Sequence, residues 1–169
     1  LDLIVKPGPD GHLASFGDKT WPCAVGRSGI GQKLAEGDGV SPIGCWPIRR
    51  IFYRADRLDH APSDAFPCQV TDRQDGWCDA ADHPDYNRLV RLPFDASHEE
   101  MWREDALYDI VVVLGQNDNP VVPGAGSAIF LHIARPGYSP TAGCAALSRE
   151  DLLEFLSLAG PDTRLCFQA

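Results

Sequence analysis

The sequence predicts a mostly β single domain spanning residues 1–169, with two short helices. Three observations carry that expectation. Short alternating or continuously apolar runs recur along the chain. Glycine and proline clusters punctuate them, with 16 Gly and 14 Pro in 169 residues. Only two segments carry helix-start signals.

Leu1 to Lys6 reads as a strand by alternation. Pro7-Gly8-Pro9-Asp10-Gly11 is a turn, and Leu13 to Trp21 returns as the hairpin partner. Gly26 to Gly44 holds glycines at 26, 29, 31, 37, 39 and 44 and must be loop-rich. Ile48 to Arg54 alternates: Arg49, Ile51 and Tyr53 share one face, and Ile48, Arg50, Phe52 and Arg54 the other. Residues 55 to 88 read as a long surface insertion. Leu89 to Leu92 is a short strand stopped by Pro93. Asp109 to Leu114 and Ser127 to Ile133 are almost continuously apolar, as strands buried on both faces are. Thr163 to Phe167 is the last strand. Ser97-His98-Glu99-Glu100 forms a capping box and predicts a helix from His98 to about Ala106. Ser148-Arg149-Glu150-Asp151 is a second box. Leu152, Phe155 and Leu156 follow it at helical spacing, and Gly160-Pro161 ends the helix.

The formal charge is −9, from 15 Lys+Arg against 24 Asp+Glu. That balance argues against nucleic-acid partners, which require a basic surface. The longest aliphatic run, Ile110 to Leu114, is far shorter than the roughly 20 residues of a membrane span. The domain is expected to be a monomer. Six cysteines are many for a reducing compartment and point to an oxidising one. The chain starts at Leu1 and its single methionine is Met101, so the lack of a visible export signal is uninformative about compartment.

The chemistry concentrates in Gly126 to Cys144. A buried strand delivers His132 at its end, where the backbone holds an imidazole rigidly. A turn-rich loop then leads to Thr141-Ala142-Gly143-Cys144. An imidazole beside a thiol can take its proton, so that sulfur attacks a carbonyl. Gly143 allows close backbone approach, and the amides of Ala142, Gly143 and Cys144 are candidates for an oxyanion hole.

This segment resembles the active-site motif of the L,D-transpeptidases, the YkuD-type catalytic domain. That motif is a strand ending in His, a variable loop, then Ser or Thr, any residue, Gly and Cys. Gly37-Asp38-Gly39-Val40-Ser41-Pro42-Ile43-Gly44 is similar to a second, glycine-rich family element. Tyr108-Asp109 before a β run also resembles the family. The likeness covers about residues 20 to 150 and implies a β-sandwich or barrel. A proteobacterial subgroup is resembled further by Trp21 to Gly29, Gly76 to Asp79, Tyr86 to Arg88 and Ser97 to Glu99.

The resemblance implies acyl transfer on peptidoglycan stem peptides, in the periplasm and without a cofactor. Cys144 would be the nucleophile and His132 the base. The donor bond would follow diaminopimelate or, in the subgroup, L-Ala, with a diaminopimelate amine as acceptor. Water as acceptor would give a carboxypeptidase or endopeptidase. A non-catalytic wall-binding module is the alternative from another class. The chain departs from the family at Ala142, where many members have a second His, and at Ala146, where many have Arg. The loop between His132 and Cys144, 11 residues, is short. A substrate carboxylate must then be met by another cation. Arg135 and Arg149 are nearest in sequence, and Arg27, Arg50 and Arg54 come from upstream segments. Thr141 and Tyr138 are the remaining substrate-binding candidates.

Other chemistries are less well supported. Cys78, Asp79, Asp82, His83 and Asp85 cluster in one loop, but no HExxH, CxxC or paired His ligands occur, so no metal site is expected. Gly26 to Gly31 superficially suggests a phosphate cradle, yet no GKS/T follows. Trp77 and Tyr86 suit either sugar stacking or pinning of the loop, and pinning is the favoured role. With Cys144 kept as a thiol, Cys68 and Cys78 bracket a short loop and are the first candidates for a disulfide. Cys23 and Cys45 are the second.

Overall fold

Fourteen strands and one helix are described across residues 1–169 of a computed structural model. In chain order they are β1 (Leu3–Gly8), β2 (Gly11–Phe16), β3 (Lys19–Pro22), β4 (Ile30–Gly31), β5 (Ser41–Pro42), β6 (Gly44–Tyr53) and β7 (Cys68–Val70). There follow β8 (Asp75–Cys78), β9 (Leu89–Arg91), β10 (His98–Glu100), β11 (Ile110–Leu114), β12 (Phe130–Ile133), β13 (Ala145–Leu147), α1 (Arg149–Leu158) and β14 (Arg164–Phe167).

The main sheet runs β13-β12-β11-β6-β14-β1-β2-β3, with β7 added beside β6. It nearly closes into a barrel. Just past β3, Ala24 pairs with Ala146 of β13, and each amide donates to the other's carbonyl at 2.9 Å. Closure satisfies edge amides that would otherwise face water. A smaller sheet, β10-β8-β9, stands beside it.

Period-2 alternation divides the buried residues between two clusters. Ile110, Val112, Leu114, Leu131, Ile133, Ala145 and Leu147 enter the larger. Phe52, Val111, Val113, Phe130 and Cys144 enter the smaller. Helix α1 covers the larger with Leu152, Phe155 and Leu156, and the Phe155 ring meets Phe16 edge-on at 5.3 Å. Its start is capped as the sequence predicts: Asp151 N donates to Ser148 Oγ at 3.1 Å.

Several expectations need correction. His98 to Ala106 is not a helix. His98, Glu99 and Glu100 form β10 and pair with Cys78, Trp77 and Gly76 of β8. Cross-strand pairing outweighs a local capping signal that no apolar helical stripe follows. Alternation separates Ile48 from Ile51, yet both lie in the larger cluster. The pairing steps from Val113↔Arg50 to Leu114↔Ile48, so a bulge at Arg49 turns Ile48 inward. The 55–88 stretch is not only surface. Strand β8 is buried throughout, and the Trp77 ring meets Phe130 at 5.2 Å, which pins the segment to the barrel.

The disulfide expectation is also corrected. Cys45 of β6 is bonded to Cys166 of β14, and Cys23, Cys68 and Cys78 are free thiols. Cys45 and Cys166 stand directly opposite each other in the antiparallel register. Cys68 and Cys78 are held in different sheets.

Candidate active site

Parallel strands β12 and β13 set the site. His132 lies opposite Ala146, and Leu131 opposite Ala145. Cys144 precedes β13 by one residue, so it shares a sheet face with Ala146, Phe130 and His132. Ala146 is the smallest neighbour available beside the imidazole apart from glycine. The Cys144 and His132 side chains both open on a cavity of about 360 Å³.

His132 is 5% exposed. Its Nδ1 lies 2.9 Å from Ile133 O. A carbonyl only accepts, so Nδ1 carries the proton and Nε2 keeps its lone pair. The Tyr108 ring packs against the imidazole at 5.3 Å, nearly edge-on. Burial pushes the His132 pKa down to about 4, and the nearby Arg103 and Arg135 charges act in the same direction. Burial pushes the Cys144 thiol up to about 12, and the Glu99 carboxylate adds to it. The resting pair is therefore a neutral thiol and a neutral imidazole. The thiol donates to Ala128 O at 3.1 Å and accepts from Phe130 N at 3.4 Å.

The turn before Cys144 is held by the glycine-rich segment. Ser41, fully buried, accepts from Gly26 N at 2.9 Å and donates to Gly143 O at 2.7 Å. One hydroxyl thus ties the Gly26 loop to the turn that carries Cys144. Gly143 has φ +146°, and a Cβ there would lie 3.0 Å from Val40 O, so glycine is required. Thr141 Oγ1 accepts from Gly143 N at 3.0 Å and donates to Cys144 O at 2.7 Å. That hydroxyl is spent within the turn, which makes Thr141 a brace for the turn that carries Cys144. The Gly143 amide is likewise occupied. The Ala142 and Cys144 amides donate to no backbone or side-chain acceptor.

The cavity gathers Cys144, His132, Gly143, Ala142, Thr141 and Arg135 from the sequence candidates. Five others lie elsewhere. Arg149 pairs with buried Asp109 at 3.1 Å. Arg27 donates to Gly37 O, and with Tyr138 it lines a separate depression. Arg54 is 4% exposed, bidentate to Asp56, and donates to Arg103 O at 2.7 Å. It braces the backbone of a cavity residue from behind. Arg50 stacks on Phe52, 4.8 Å from the ring centroid, at a second depression.

Among the cavity residues without an assigned role in the sequence reading are Lys33, Glu36, Asp79, Glu99, Arg103, Tyr108 and Ser127. A signal existed for three of them. Asp79 ends Gly76–Asp79, Glu99 ends Ser97–Glu99, and Tyr108 precedes the β11 run, all stretches singled out by resemblance. Arg103 supplies a cation beside His132 that sequence proximity could not find.

A neutral thiol, a base with its lone pair free and two unused amides form a constellation for acyl transfer. The YkuD model, described as the L,D-transpeptidase catalytic domain, matches residues 15–165. The chain belongs to this family. No curated relative and no solved structure matches it. As an L,D-transpeptidase it is an enzyme of peptidoglycan cross-linking. No helix of this L,D-transpeptidase is long and apolar enough to cross a membrane.

Proposed function

We propose that the enzyme forms a thioester on Cys144 with a peptidoglycan stem peptide and passes the acyl group to an amine. His132 Nε2 takes the thiol proton as Sγ attacks the donor carbonyl. The free amides of Ala142 and Cys144 receive the oxyanion. His132 then protonates the leaving amine as the C–N bond breaks. The donor bond follows diaminopimelate or L-Ala, and a diaminopimelate amine resolves the thioester.

The observation that carries this reading is the shared face of β12 and β13. It turns Cys144 and His132 into one cavity, with Nδ1–H anchored and Nε2 unencumbered. Arg135, which has no carboxylate in ion-pair range, lines the cavity where a stem carboxylate would dock, whereas Arg103 is already bidentate to Asp105 at 2.8 and 2.7 Å. Arg135 takes the part of the family Arg replaced by Ala146. The Cys45–Cys166 bond supports work in an oxidising compartment, here the periplasm; the reading takes residues 1–169 as a single catalytic domain acting as a monomer.

Mass spectrometry of muropeptides incubated with the protein tests the reading. Cross-linked dimers and a Cys144 acyl adduct are expected with wild type, and neither with Cys144→Ala. Cross-links made by Cys144→Ala would sink it. Trimmed stems without dimers would assign water as the acceptor and make the enzyme a hydrolase.

A further inference from the structure

The cavity has an acidic side as well as a cationic one. Glu99, Asp79 and Glu36 line it together with Cys144. Glu99 comes from β10, and the pairing of β10 with β8 brings Asp79 beside it, where Asp79 N donates to Ser97 O at 3.1 Å. One Glu99 oxygen accepts from Tyr108 Oη at 2.7 Å. That contact fixes the carboxylate and leaves its other oxygen without a protein donor. Asp79 Oδ1 is sealed from solvent and has no hydrogen-bond partner. A buried acceptor left unsatisfied is costly unless a ligand donor completes it.

The position of Glu99 is unfavourable for the first half-reaction. Its charge opposes a thiolate at Cys144. A carboxylate there has a use in the second half-reaction, where a cationic amine must be drawn in and stripped of a proton. Resting on the acyl-transfer reading above, we propose that Glu99, braced by Tyr108 and flanked by Asp79, receives the acceptor ammonium and thereby selects amine over water.

The protons balance. The ammonium gives one proton to the Glu99 carboxylate and becomes a free amine. Its nitrogen attacks the thioester carbonyl, the C–N bond forms and the C–S bond breaks. The second N–H proton passes through His132 to the Cys144 sulfur, which restores the thiol. Glu99 returns its proton to solvent when product leaves. Burial raises the Glu99 pKa, which makes its carboxylate a better acceptor for the ammonium proton.

Glu99→Gln keeps a hydrogen-bond acceptor for Tyr108, removes the charge and replaces the second carboxylate oxygen with an NH2 donor. With a muropeptide donor, Cys144 should acylate at least as fast as in wild type, because the opposing charge is gone. Aminolysis by diaminopimelate should fall at least about tenfold against hydrolysis, the loss of one charge-assisted contact. Aminolysis by methoxyamine, uncharged near neutral pH, should not fall. A variant that acylates and partitions its thioester as wild type does would overturn the inference. Loss of acylation together with aminolysis would also overturn it, as would equal loss with both amines. In the wild-type protein alone, raising salt should weaken aminolysis by diaminopimelate more than by methoxyamine, and equal sensitivity counts against a charged acceptor subsite. Wild-type protein that never acylates would instead bring down the role of Cys144 on which the inference stands.

Discussion

Cys144 and His132 are both held in their neutral forms by the same cause, burial on one face of the sheet. Proton transfer from sulfur to imidazole therefore belongs to the encounter with substrate. The acid limb of acylation should follow His132 and lie near pH 4, well below the ordinary histidine range. A limb centred near 6.5 in a single-turnover pH profile would contradict that. Stability follows with a defined sign. The folded pKa is depressed, so between 6.5 and about 4 the unfolded chain binds more protons. Stability should fall on acidification through that window, by of order 3 kcal/mol. Urea unfolding across the window, compared between wild type and His132→Gln, isolates this contribution. Ser41 is a positioning residue. Ser41→Ala strands Gly26 N and Gly143 O in the interior. It should cost about 1–3 kcal/mol in unfolding experiments and slow acylation without changing its acid limb.

At the scale of elements, the turn from Thr141 to Cys144 depends on one backbone conformation. Gly143→Ala would introduce a Cβ 3.0 Å from Val40 O at φ +146°. A loss of about 1–3 kcal/mol is expected, with Cys144 acylation falling more steeply than stability. Thermal unfolding alongside acylation kinetics separates the two. Strand β10 shows the limit of local reading. Ser97 to Glu100 carries a capping box, but β8 offers backbone partners and Tyr108 receives the Glu99 carboxylate. The helix signal is worth tenths of a kcal/mol per residue, and pairing outweighs it. The bulge in β6 is another such case, since a single skipped residue moves Ile48 across the sheet.

In the whole molecule, links between distant segments hold the barrel together. Ala24 meets Ala146 at the seam, and Cys45–Cys166 links strands 121 residues apart in sequence. A bridge closing so long a loop constrains the unfolded chain strongly, and its removal typically costs about 2–5 kcal/mol. Cys45→Ala/Cys166→Ala should lower the melting temperature by roughly 10 °C. The Cys144 acylation rate at low temperature should be retained, because the bond lies outside the cavity lining. An unchanged melting temperature would show that the barrel does not depend on it. The formal charge of −9 gives an overall field that repels anionic stems. Arg135, which has no carboxylate partner, answers it locally beside His132.

The sequence by itself determined the β framework, the capped final helix, and the pair of Cys144 and His132 on a strand-loop-strand motif. These are properties of short windows, in which alternation, turn residues and motif spacing act on near neighbours. Only the tertiary structure decided which cations face His132, which cysteines bond, and that Asp79, just past β8, shares the cavity with Glu99 of β10. Arg149, Arg54 and Arg27 looked as eligible as Arg135 until nearby carboxylates and carbonyls claimed them. Cys45 and Cys166 were not candidates for each other until β6 and β14 lay in register. Such choices depend on pairings between residues far apart in sequence, and those pairings exist only once the sheet has nearly closed on itself.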